Sequence, residues 1–388
     1  MKSFTLDIKT KIIFGKDSIA RLASELNGNY KKVLLHYGSG RIKKSGLYDN
    51  IVKILQDNNC EIFELSGVEP NPKLGLVRQG VEIAKDKNID LILALGGGSV
   101  IDSAKAIGIG ALYDGDVWDF FTGKANPSIT IPVGVVLTIP ATGSESSTGS
   151  VITNEDGLYK RATGGNFMRP KFAILDPTYT LTLPSNQTFA GVMDILSHVF
   201  ERYFTQTNNV DLTDNLGEAT MKTVIKNAYL LKENPQNFDA RAEIMFAGTI
   251  AHNGLLGAGR EEDWASHDIG HEISALYGTT HGETLSIIFP AWMKYVYKEN
   301  LDRFVQFATN VWGVSDQGDS KEEVALEGIK KFEEFLTDMG LPKSFTEANL
   351  PFDGIELMAS KASENGPFGS FKKLNKEDLI NIYSMAKE

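Results

Sequence analysis

Short apolar runs alternate with amphipathic stretches up to about residue 185, and this alternation restricts the possible folds more than any other feature. The run Lys32–Tyr37 has the composition of a buried strand, and a third such run leads directly into Gly-Gly-Gly-Ser at 96–99. Strands that alternate with helices at this spacing are typical of a parallel sheet covered by helices. The predicted strands are 32–37, 61–65 and 90–95, and the predicted helices are 46–58, 76–87 and one that follows the glycines through Ala111.

After Pro184 the pattern is one of helices alone. Apolar residues recur there at i, i+3 and i+4 without strand-like interruptions, for example over 186–205, 211–231, 238–256 and 300–311. A chain of 388 residues is also too long for one ordinary core. We therefore predict two domains, an α/β dinucleotide-binding domain over residues 1–185 and an all-α metal-binding domain over residues 186–388.

Composition excludes several classes of function. The 39 Lys and Arg residues stand against 50 Asp and Glu, a formal net charge of −11, so nucleic acid is not an expected partner. No apolar run is long enough to span a bilayer, and the N-terminus lacks the apolar core of a signal peptide. Cys60 is the single cysteine, which excludes an internal disulfide. We expect a cytoplasmic protein with no membrane partner.

The second half carries histidines and a carboxylate at metal-ligand spacing. Two pairs of these residues are four positions apart, so on helices each pair would project from one face. Three imidazoles and one carboxylate suit Fe(II), Zn(II) or Co(II) better than Ca(II) or Mg(II). Spacing alone leaves every histidine of the pattern as a candidate ligand, whereas His252 is expected to be an ordinary helix-face residue. The candidates are Asp194, His198, His267, His271 and His281.

Two loops in the first half have the composition of anion-binding or cofactor-binding turns. The segment Gly-Gly-Gly-Ser-Val-Ile-Asp at 96–102 joins a strand to a helix, so its backbone N–H groups and the helix dipole can meet a pyrophosphate. A tight strand-to-helix turn explains the glycines about as well. The segment Thr-Ile-Pro-Ala-Thr-Gly-Ser-Glu at 138–145 offers hydroxyl groups, or is a surface turn. Neither loop is a G-x-G-x-x-G fingerprint.

These two loops, together with Asp-Ile-Leu-Ser-His at 194–198, His-Asp-Ile-Gly-His at 267–271 and His-Gly at 281–282, resemble the motifs of the iron-containing (group III) alcohol dehydrogenase family. The segments 37–46 and 65–72 are most similar to the butanol dehydrogenase branch. The resemblance runs from about Phe4 to Met385.

The resemblance implies a metal held by Asp194, His198, His267 and His281, and it places His271 near the nicotinamide instead of in the ligand set. One departure is Gly-Ser-Gly-Arg at 38–41, where the branch commonly has Gly-Gly-Gly-Ser, so Arg41 would stand beside the adenosine ribose. The resemblance also implies a homodimer, for which we consider pairing of edge strands near residues 4–14. The implied cofactor positions are Gly38, Ser39, Gly97, Gly98, Ser99, Asp102, Thr138, Thr142 and Lys160.

The expected activity is hydride transfer between a nicotinamide cofactor and an aliphatic aldehyde or primary alcohol, with the metal, Fe²⁺ or alternatively Zn²⁺, polarising the carbonyl. We predict a preference for NADP(H), with NAD(H) as the alternative, because no acid follows the strand 33–36 and Arg41, Lys43 and Lys44 supply positive charge. His271 is the expected proton relay.

Two other classes of function use some of the same parts. A glycerol dehydrogenase-like or dehydroquinate synthase-like enzyme would act on a polar substrate, and a metal-binding scaffold would need no phosphate loop. The aromatic stretch 117–121, with Trp118, Phe120 and Phe121, favours an alkyl substrate if it lines the pocket.

Overall fold

The structure, a computed structural model, describes residues 1–38 and 40–388. It contains two compact units, Asp7–Leu183 and Pro184–Glu388, the second of which also includes Met1–Leu6. The six N-terminal residues belong there because the Met1 ammonium donates to Asn208 O at 2.9 Å. The predicted boundary at 185/186 placed these residues in the first domain instead.

A six-stranded parallel sheet forms the centre of the first unit. Its strands are β1 (Lys11–Phe14), β2 (Lys32–Tyr37), β3 (Glu61–Leu65), β4 (Leu91–Gly96), β5 (Val133–Leu137) and β8 (Phe172–Leu175). The strand order is β1-β8-β5-β4-β2-β3, and every neighbouring pair is parallel. A separate antiparallel hairpin of β6 (Gly149–Asn154) and β7 (Tyr159–Gly164) was not predicted.

The central strands are apolar throughout because both faces of the sheet are covered. All residues of β4 and β5 are buried, as expected for inner strands of a parallel sheet. The helices of this unit are α1 (Leu22–Leu26), α2 (Arg41–Lys44), α3 (Leu47–Asp57), α4 (Leu74–Lys87) and α5 (Gly98–Gly110). Helix α4 begins two residues before the predicted start, directly after Lys73, which is extended and bridges to Thr153 of the hairpin.

The second unit is built of helices and connecting loops, with no strand among its described residues, so the α/β plus all-α fold class is confirmed. Its helices are α6 (Ser185–Tyr203), α7 (Asp211–Glu233), α8 (Phe238–His252), α9 (Ala265–Tyr277), α10 (His281–Val296), α11 (Leu301–Trp312), α12 (Lys321–Asp338), α13 (Ile355–Ala362) and α14 (Lys376–Met385). Helix α8 ends four residues before the predicted end because Asn253 accepts from the Leu255 N–H and Gly254 turns the chain with a φ of 98°. None of the helices described is both long and apolar enough to cross a membrane.

Helix α6 lies at the centre of the second unit. It is buried continuously from Thr188 to Tyr203. Its Phe200 packs edge-on against Phe289, Phe307 and Phe332 with ring centroids 5.2 to 5.6 Å apart. Each buried aromatic side chain stabilises the fold by roughly 1.5–3 kcal/mol. The polar side chains of α6 are therefore held inside a packed core.

His36 is a fully buried histidine at the centre of the first unit. Its Nδ1–H donates to Leu65 O at 2.9 Å, and Ser103 Oγ donates to its Nε2 at 2.8 Å, so both ring nitrogens are satisfied in the neutral form. Burial lowers the pKa of His36 from 6.5 to about 4. The folded protein therefore resists protonation of this ring.

This shift predicts an acid-sensitive contribution to stability. The unfolded chain takes up the proton as pH falls below 6.5 and the folded chain does so only near 4, so stability is lost on acidification. For wild type, the free energy of unfolding from urea titration should fall between pH 7 and pH 5 by about 2 kcal/mol more than for His36→Asn. Equal losses in the two proteins would contradict the assignment.

Candidate metal centre and nucleotide-binding turns

Three helices of the second unit bring the predicted metal ligands together. Helix α6 carries Asp194 and His198 one turn apart, and His198 Nε2 lies 3.3 Å from Asp194 Oδ1. His267 lies in the first turn of α9, with its ring centroid 4.7 Å from that of His198. His281 is the first residue of α10, and its Nε2 lies 4.0 Å from Asp194 Oδ1.

The spacing and chemistry of these side chains fit a divalent metal ion. One ligand atom from each of Asp194, His267 and His281 lies within 4.8 Å of the other two. Ligand atoms around a tetrahedral ion lie about 3.4 Å apart, so small side-chain movements would complete the shell. Neither ring nitrogen of His198 has a hydrogen-bond partner within the described part of the chain, although both are buried. Burial also lowers the pKa of His198 well below its usual value, which keeps the ring neutral and able to bind a metal.

Gly282 lets α10 approach α6 closely. A Cβ at this position would overlap the backbone carbonyl of Ala190 on α6. The glycine after His281 is therefore a packing requirement that places the imidazole beside Asp194.

Glu201 is a residue of this site that the spacing arguments missed. It lies one turn beyond His198 on the buried face of α6, and it accepts from His267 Nδ1 at 2.7 Å and from the His267 backbone N–H at 3.0 Å. Burial raises the pKa of Glu201 to about 8, while the backbone N–H groups that it accepts act in the opposite direction. The only signal in the sequence is its place seven residues after Asp194.

Two further histidines flank the cluster. His271, one turn beyond His267, has its ring centroid 5.3 Å from that of His281, and its Nδ1 lies 3.9 Å from Asp268 Oδ1. His252, at the end of α8, has its ring centroid 4.0 Å from that of His198. His252 lies on a helix, as expected, and chain folding brings its ring against that of His198, 54 positions away in the chain.

In the first unit, the glycine and threonine loops lie at the carboxyl ends of the sheet's strands. The loops that follow β2, β4 and β5 leave three adjacent parallel strands at their carboxyl ends. Strand β3, which follows β2 in the chain, pairs with one side of β2, and β4 pairs with the other side of β2. Ligands of open parallel sheets bind at such a reversal of strand order. Gly38 and Gly97 lie at the two strand ends that flank it, whereas the predicted Ser39 lies outside the described residues.

The turn after β4 is packed against the loop after β5. A Cβ at Gly98 would overlap the side chain of Thr142, so the two loops approach at a distance that only glycine allows. The Thr138 N–H donates to Gly96 O at 3.0 Å and extends the pairing of the strands into the loops. Ser99 is partly exposed in the first turn of α5, whose N-terminal N–H groups can receive an anion.

Asp102 and Lys160, two predicted cofactor residues, make protein contacts in this structure. Asp102 accepts from Ser144 Oγ at 2.5 Å and from the Val151 N–H at 3.0 Å, and Lys160 Nζ donates to Asn71 Oδ1 at 2.8 Å. Beside Asp102, the buried Lys105 donates to the loop at Ser144 Oγ and Gly149 O, at 3.0 and 2.9 Å. Burial lowers the pKa of Lys105 to about 8 and raises that of Asp102. These polar groups hold the loop 142–151 against α5.

Two of the three basic residues near Gly38 also have protein partners. Arg41 donates to Thr182 Oγ1 at 3.0 Å. Lys43 Nζ lies 3.7 Å from Glu64 Oε2 and 4.4 Å from the centroid of the Tyr48 ring. Glu64 lies on β3, so the neighbouring strand supplies the acid that the turn after β2 lacks.

The aromatic stretch 117–121 is far from these loops. A Cβ at Gly110, the last residue of α5, would lie 3.0 Å from Val117 Cβ, whereas the glycine turn lies at the first residues of the same helix. The helix between them is about 18 Å long. Helix α5, which is buried along most of its length, therefore separates this stretch from the glycine turn. The expectation that Trp118, Phe120 and Phe121 line an apolar substrate pocket stays a prediction.

Glycine turns at the strand-order reversal in one unit and a histidine-carboxylate cluster in the other are the parts of a nicotinamide-dependent metal dehydrogenase. The family description "Iron-containing alcohol dehydrogenase" matches residues 9–177, and "Fe-containing alcohol dehydrogenase family, C-terminal" matches residues 188–387. The chain belongs to the iron-containing alcohol dehydrogenase family, on its butanol dehydrogenase-like branch, and is by class an NAD(P)-dependent alcohol dehydrogenase.

Individual relatives cover the whole chain. It is 46% identical over 382 residues to a probable NADH-dependent butanol dehydrogenase 1 of Bacillus subtilis, covering 98% of this chain and 99% of the relative. It is 35% identical to the NADPH-dependent aldehyde reductase YqhD of Escherichia coli, covering 94% of each. The crystal structure of an NADH-dependent butanol dehydrogenase A from Thermotoga maritima has a TM-score of 0.96 at 39% identity and covers 100% of this chain and 99% of its own.

The cluster geometry predicts different outcomes for two neighbouring histidines. His267→Ala removes a candidate ligand, so the affinity for Zn²⁺ should fall by more than about 100-fold, since even loss of an outer-shell partner costs 10–100-fold. His252→Ala removes a ring whose centroid lies 4.0 Å from that of His198, nearer than the 4.7 Å of His267, but His252 is not a predicted ligand and is not in the group whose ligand atoms converge. Its Zn²⁺ affinity should stay close to that of wild type. Metal analysis after dialysis against a chelator compares the two, and a full zinc equivalent in His267→Ala would remove His267 from the ligand set.

Proposed function

We propose that the chain interconverts aliphatic aldehydes and primary alcohols by hydride transfer to and from a nicotinamide cofactor, with a divalent metal held by Asp194, His198, His267 and His281. The observation that carries the proposal is the convergence of these side chains. Ligand atoms of Asp194, His267 and His281 lie within 4.8 Å of one another, and His198 Nε2 lies 3.3 Å from Asp194 Oδ1. The printed activities of the relatives, butanol dehydrogenase and aldehyde reductase, supply the substrate class.

Each proposed ligand is held in a form that can bind a metal. His198 is neutral because of its burial, and His267 donates its Nδ1–H to Glu201, so Nε2 is the nitrogen left for an ion. Iron is the first choice from the family description and zinc is the alternative, since imidazole and carboxylate ligands accept both. A divalent ion in such a site supplies Lewis acidity toward a carbonyl oxygen.

His271 is the proposed proton relay. When an aldehyde is reduced, its oxygen gains a proton, and the route to that oxygen must lead from water. His271 is buried beside His281, and the side chain of Asp268, 3.9 Å from its Nδ1, is more than half exposed. The pair therefore spans from the histidine cluster to solvent on one face of α9.

The proposed cofactor contacts come from the three loops of the first unit. The backbone N–H groups of Gly97, Gly98 and Ser99 would receive the pyrophosphate at the start of α5, because a helix N-terminus favours anions. Gly38 lies at the strand-order reversal, where an adenosine can approach the backbone. Thr138 and Thr142 offer hydroxyls. Asp102 holds their loop, and Lys160 holds the hairpin. The role of Ser39 rests on its sequence position alone.

The choice of nicotinamide depends on how much positive charge the Gly38 loop can offer to a 2′-phosphate. Arg41 is bonded to Thr182 and Lys43 faces Glu64, so these contacts compete with a phosphate for the charges behind the NADP(H) prediction. Two of the relatives described above are named NADH-dependent and one NADPH-dependent. The preference for NADP(H) stays a prediction, with NAD(H) as the alternative.

We keep the homodimer and the cytoplasmic location as proposals. Strand β1 lies at one edge of the sheet, so its outer backbone groups are available to a second copy of the chain. The single cysteine agrees with a reducing compartment.

The activity is tested with butanal and a reduced nicotinamide, followed at 340 nm. We expect turnover that depends on added Fe²⁺ or Zn²⁺ and that a chelator abolishes. Catalytic efficiency from ethanal to hexanal should rise by up to about fourfold per methylene if the alkyl chain is buried. No aldehyde reduction with either metal would refute the proposed function, and glycerol as the best alcohol would move the chain to another branch.

Cofactor choice is tested by freeing Lys43. In Glu64→Gln the lysine loses its carboxylate partner, so kcat/KM for NADPH relative to NADH should rise by about fivefold, the effect of roughly 1 kcal/mol in a charged contact. Glu61→Gln, at an exposed position on the same strand, changes the net charge equally and should leave the ratio unchanged. Equal ratios in the two variants would show that Lys43 does not meet the cofactor.

The relay is tested with His271→Ala. Its turnover should fall by about 100-fold or more, the usual contribution of a positioned acid or base, while its metal content stays that of wild type. Loss of the metal together with the activity would make His271 a ligand and contradict the relay.

A further inference from the structure

Glu201 of α6 makes several hydrogen bonds to helix α9 and to the segment that leads into it. Its Oε1 accepts from both the backbone N–H and the Nδ1–H of His267, and its Oε2 accepts from the Trp264 N–H at 2.7 Å. The residue is 1% exposed, and its own carbonyl accepts from the Asp263 N–H at 2.8 Å. One buried carboxylate therefore holds the segment that leads into α9 and the first turn of that helix.

The contact to His267 decides which ring nitrogen carries the proton. Glu201 Oε1 already accepts the His267 backbone N–H, and with the same oxygen accepting at 2.7 Å from the ring, the proton lies on Nδ1 and the lone pair on Nε2. The second bond, from the His267 backbone, fixes the ring relative to the helix axis. Orientation and tautomer are thus set by the same side chain.

The contact to Trp264 lies where the backbone is strained. Trp264 precedes α9 with a φ of 66°, a left-handed conformation that is rare for a bulky aromatic residue. Such strain persists only where surrounding contacts impose it. The Trp264 N–H bond to Glu201 and the Trp264 Nε1–H bond to Glu262 Oε2, at 2.7 Å each, are the contacts that do so.

We propose that Glu201 is a positioning residue of the metal centre, which fixes the Nδ1–H tautomer of His267 and holds the strained entry to α9, and that it thereby sets metal affinity. This inference rests on the metal site of the proposed function.

The discriminating variant is Glu201→Gln, which keeps the shape of the side chain. Glutamine has one accepting oxygen and one donating NH₂ group, so it cannot accept all three N–H groups, and either Trp264 or His267 must face a donor. The matched control is Glu218→Gln. Glu218 is 4% exposed on α7 and accepts from Tyr203, Gln306 and Asn310 at 2.9, 2.7 and 3.0 Å.

Zinc affinity separates positioning from general stability. Metal-free full-length protein is titrated with Zn²⁺ in competition with a chromophoric chelator, and thermal unfolding is recorded with and without the ion. We expect Glu201→Gln to bind Zn²⁺ about 10–100-fold more weakly than wild type and to lose most of the zinc-induced rise in Tm. Glu218→Gln should have a lower Tm without metal and an unchanged Zn²⁺ affinity.

Failure of this inference differs from failure of the proposed function. Wild type that binds no Zn²⁺ or Fe²⁺ would remove the metal site itself and the inference with it. Wild type that binds Zn²⁺, with Glu201→Gln equal to it in affinity, would overturn the positioning role alone. Equal weakening in Glu201→Gln and Glu218→Gln would also overturn it, because the effect would then follow from stability.

Two further measurements test the proposal even if the Glu201→Gln variant does not fold. Glu201→Asp keeps the charge on a shorter side chain, and its Zn²⁺ affinity should lie between those of wild type and Glu201→Gln. In zinc-loaded wild type labelled with ¹⁵N-histidine, His267 should carry its proton on Nδ1. A proton on Nε2 would overturn the proposal.

Discussion

The second unit depends on a helix that is buried along most of its length and yet carries charged and ionisable side chains. Helix α6 is buried from Thr188 to Tyr203, and within this span lie Asp194, His198 and Glu201. Burial of such groups costs several kcal/mol each unless partners compensate. The surrounding helices must therefore bring polar groups to this helix, which they do with the histidines of α9 and α10. The candidate metal site is thus the part of this core in which buried polar side chains of α6 meet polar side chains of other helices.

The same requirement explains why the site carries local strain. The entry to α9 adopts a left-handed conformation at Trp264. The ring of Trp264 stacks against Arg202, and its centroid lies 5.1 Å from that of His267. A relaxed entry would shift the first turn of α9 and move His267 relative to α6. Since ligand positions must hold within a few tenths of an ångström, the strain is compensated by hydrogen bonds to the buried Glu201 and to the partly exposed Glu262.

The first unit solves a different problem, which is to bring backbone N–H groups close to an anion. Parallel strands place the loops after β2, β4 and β5 on one edge, and glycine at 98 lets the loops touch. The polar interior beneath them, with Lys105 bonded to Ser144 and Asp102 to Val151, keeps the loop 142–151 in place. The glycine turn is thereby preorganised, while an anion can still reach its backbone N–H groups.

Much of this could be predicted from the sequence, because strand and helix periodicities are local. The strands and helices in the order α/β then all-α, the glycine turn at 96–99 and the i,i+4 pairs of candidate ligands follow from residue spacing. The family motifs add the prediction that His271 is not a ligand. Two segments with weak local signals were not predicted: the hairpin Gly149–Gly164 is partly polar, and the apolar strand Phe172–Leu175 is only four residues long.

Contacts between residues distant in the chain were decided only by the tertiary structure. Glu201 meets His267 across 66 positions, His252 reaches His198, and Glu64 of a neighbouring strand offsets Lys43. The aromatic stretch 117–121 lies at the end of α5 away from the glycine turn, a position that its residues alone did not show. Spacing along a chain determines which face of an element a side chain occupies, whereas its neighbours depend on how the elements pack, and packing is not a local property.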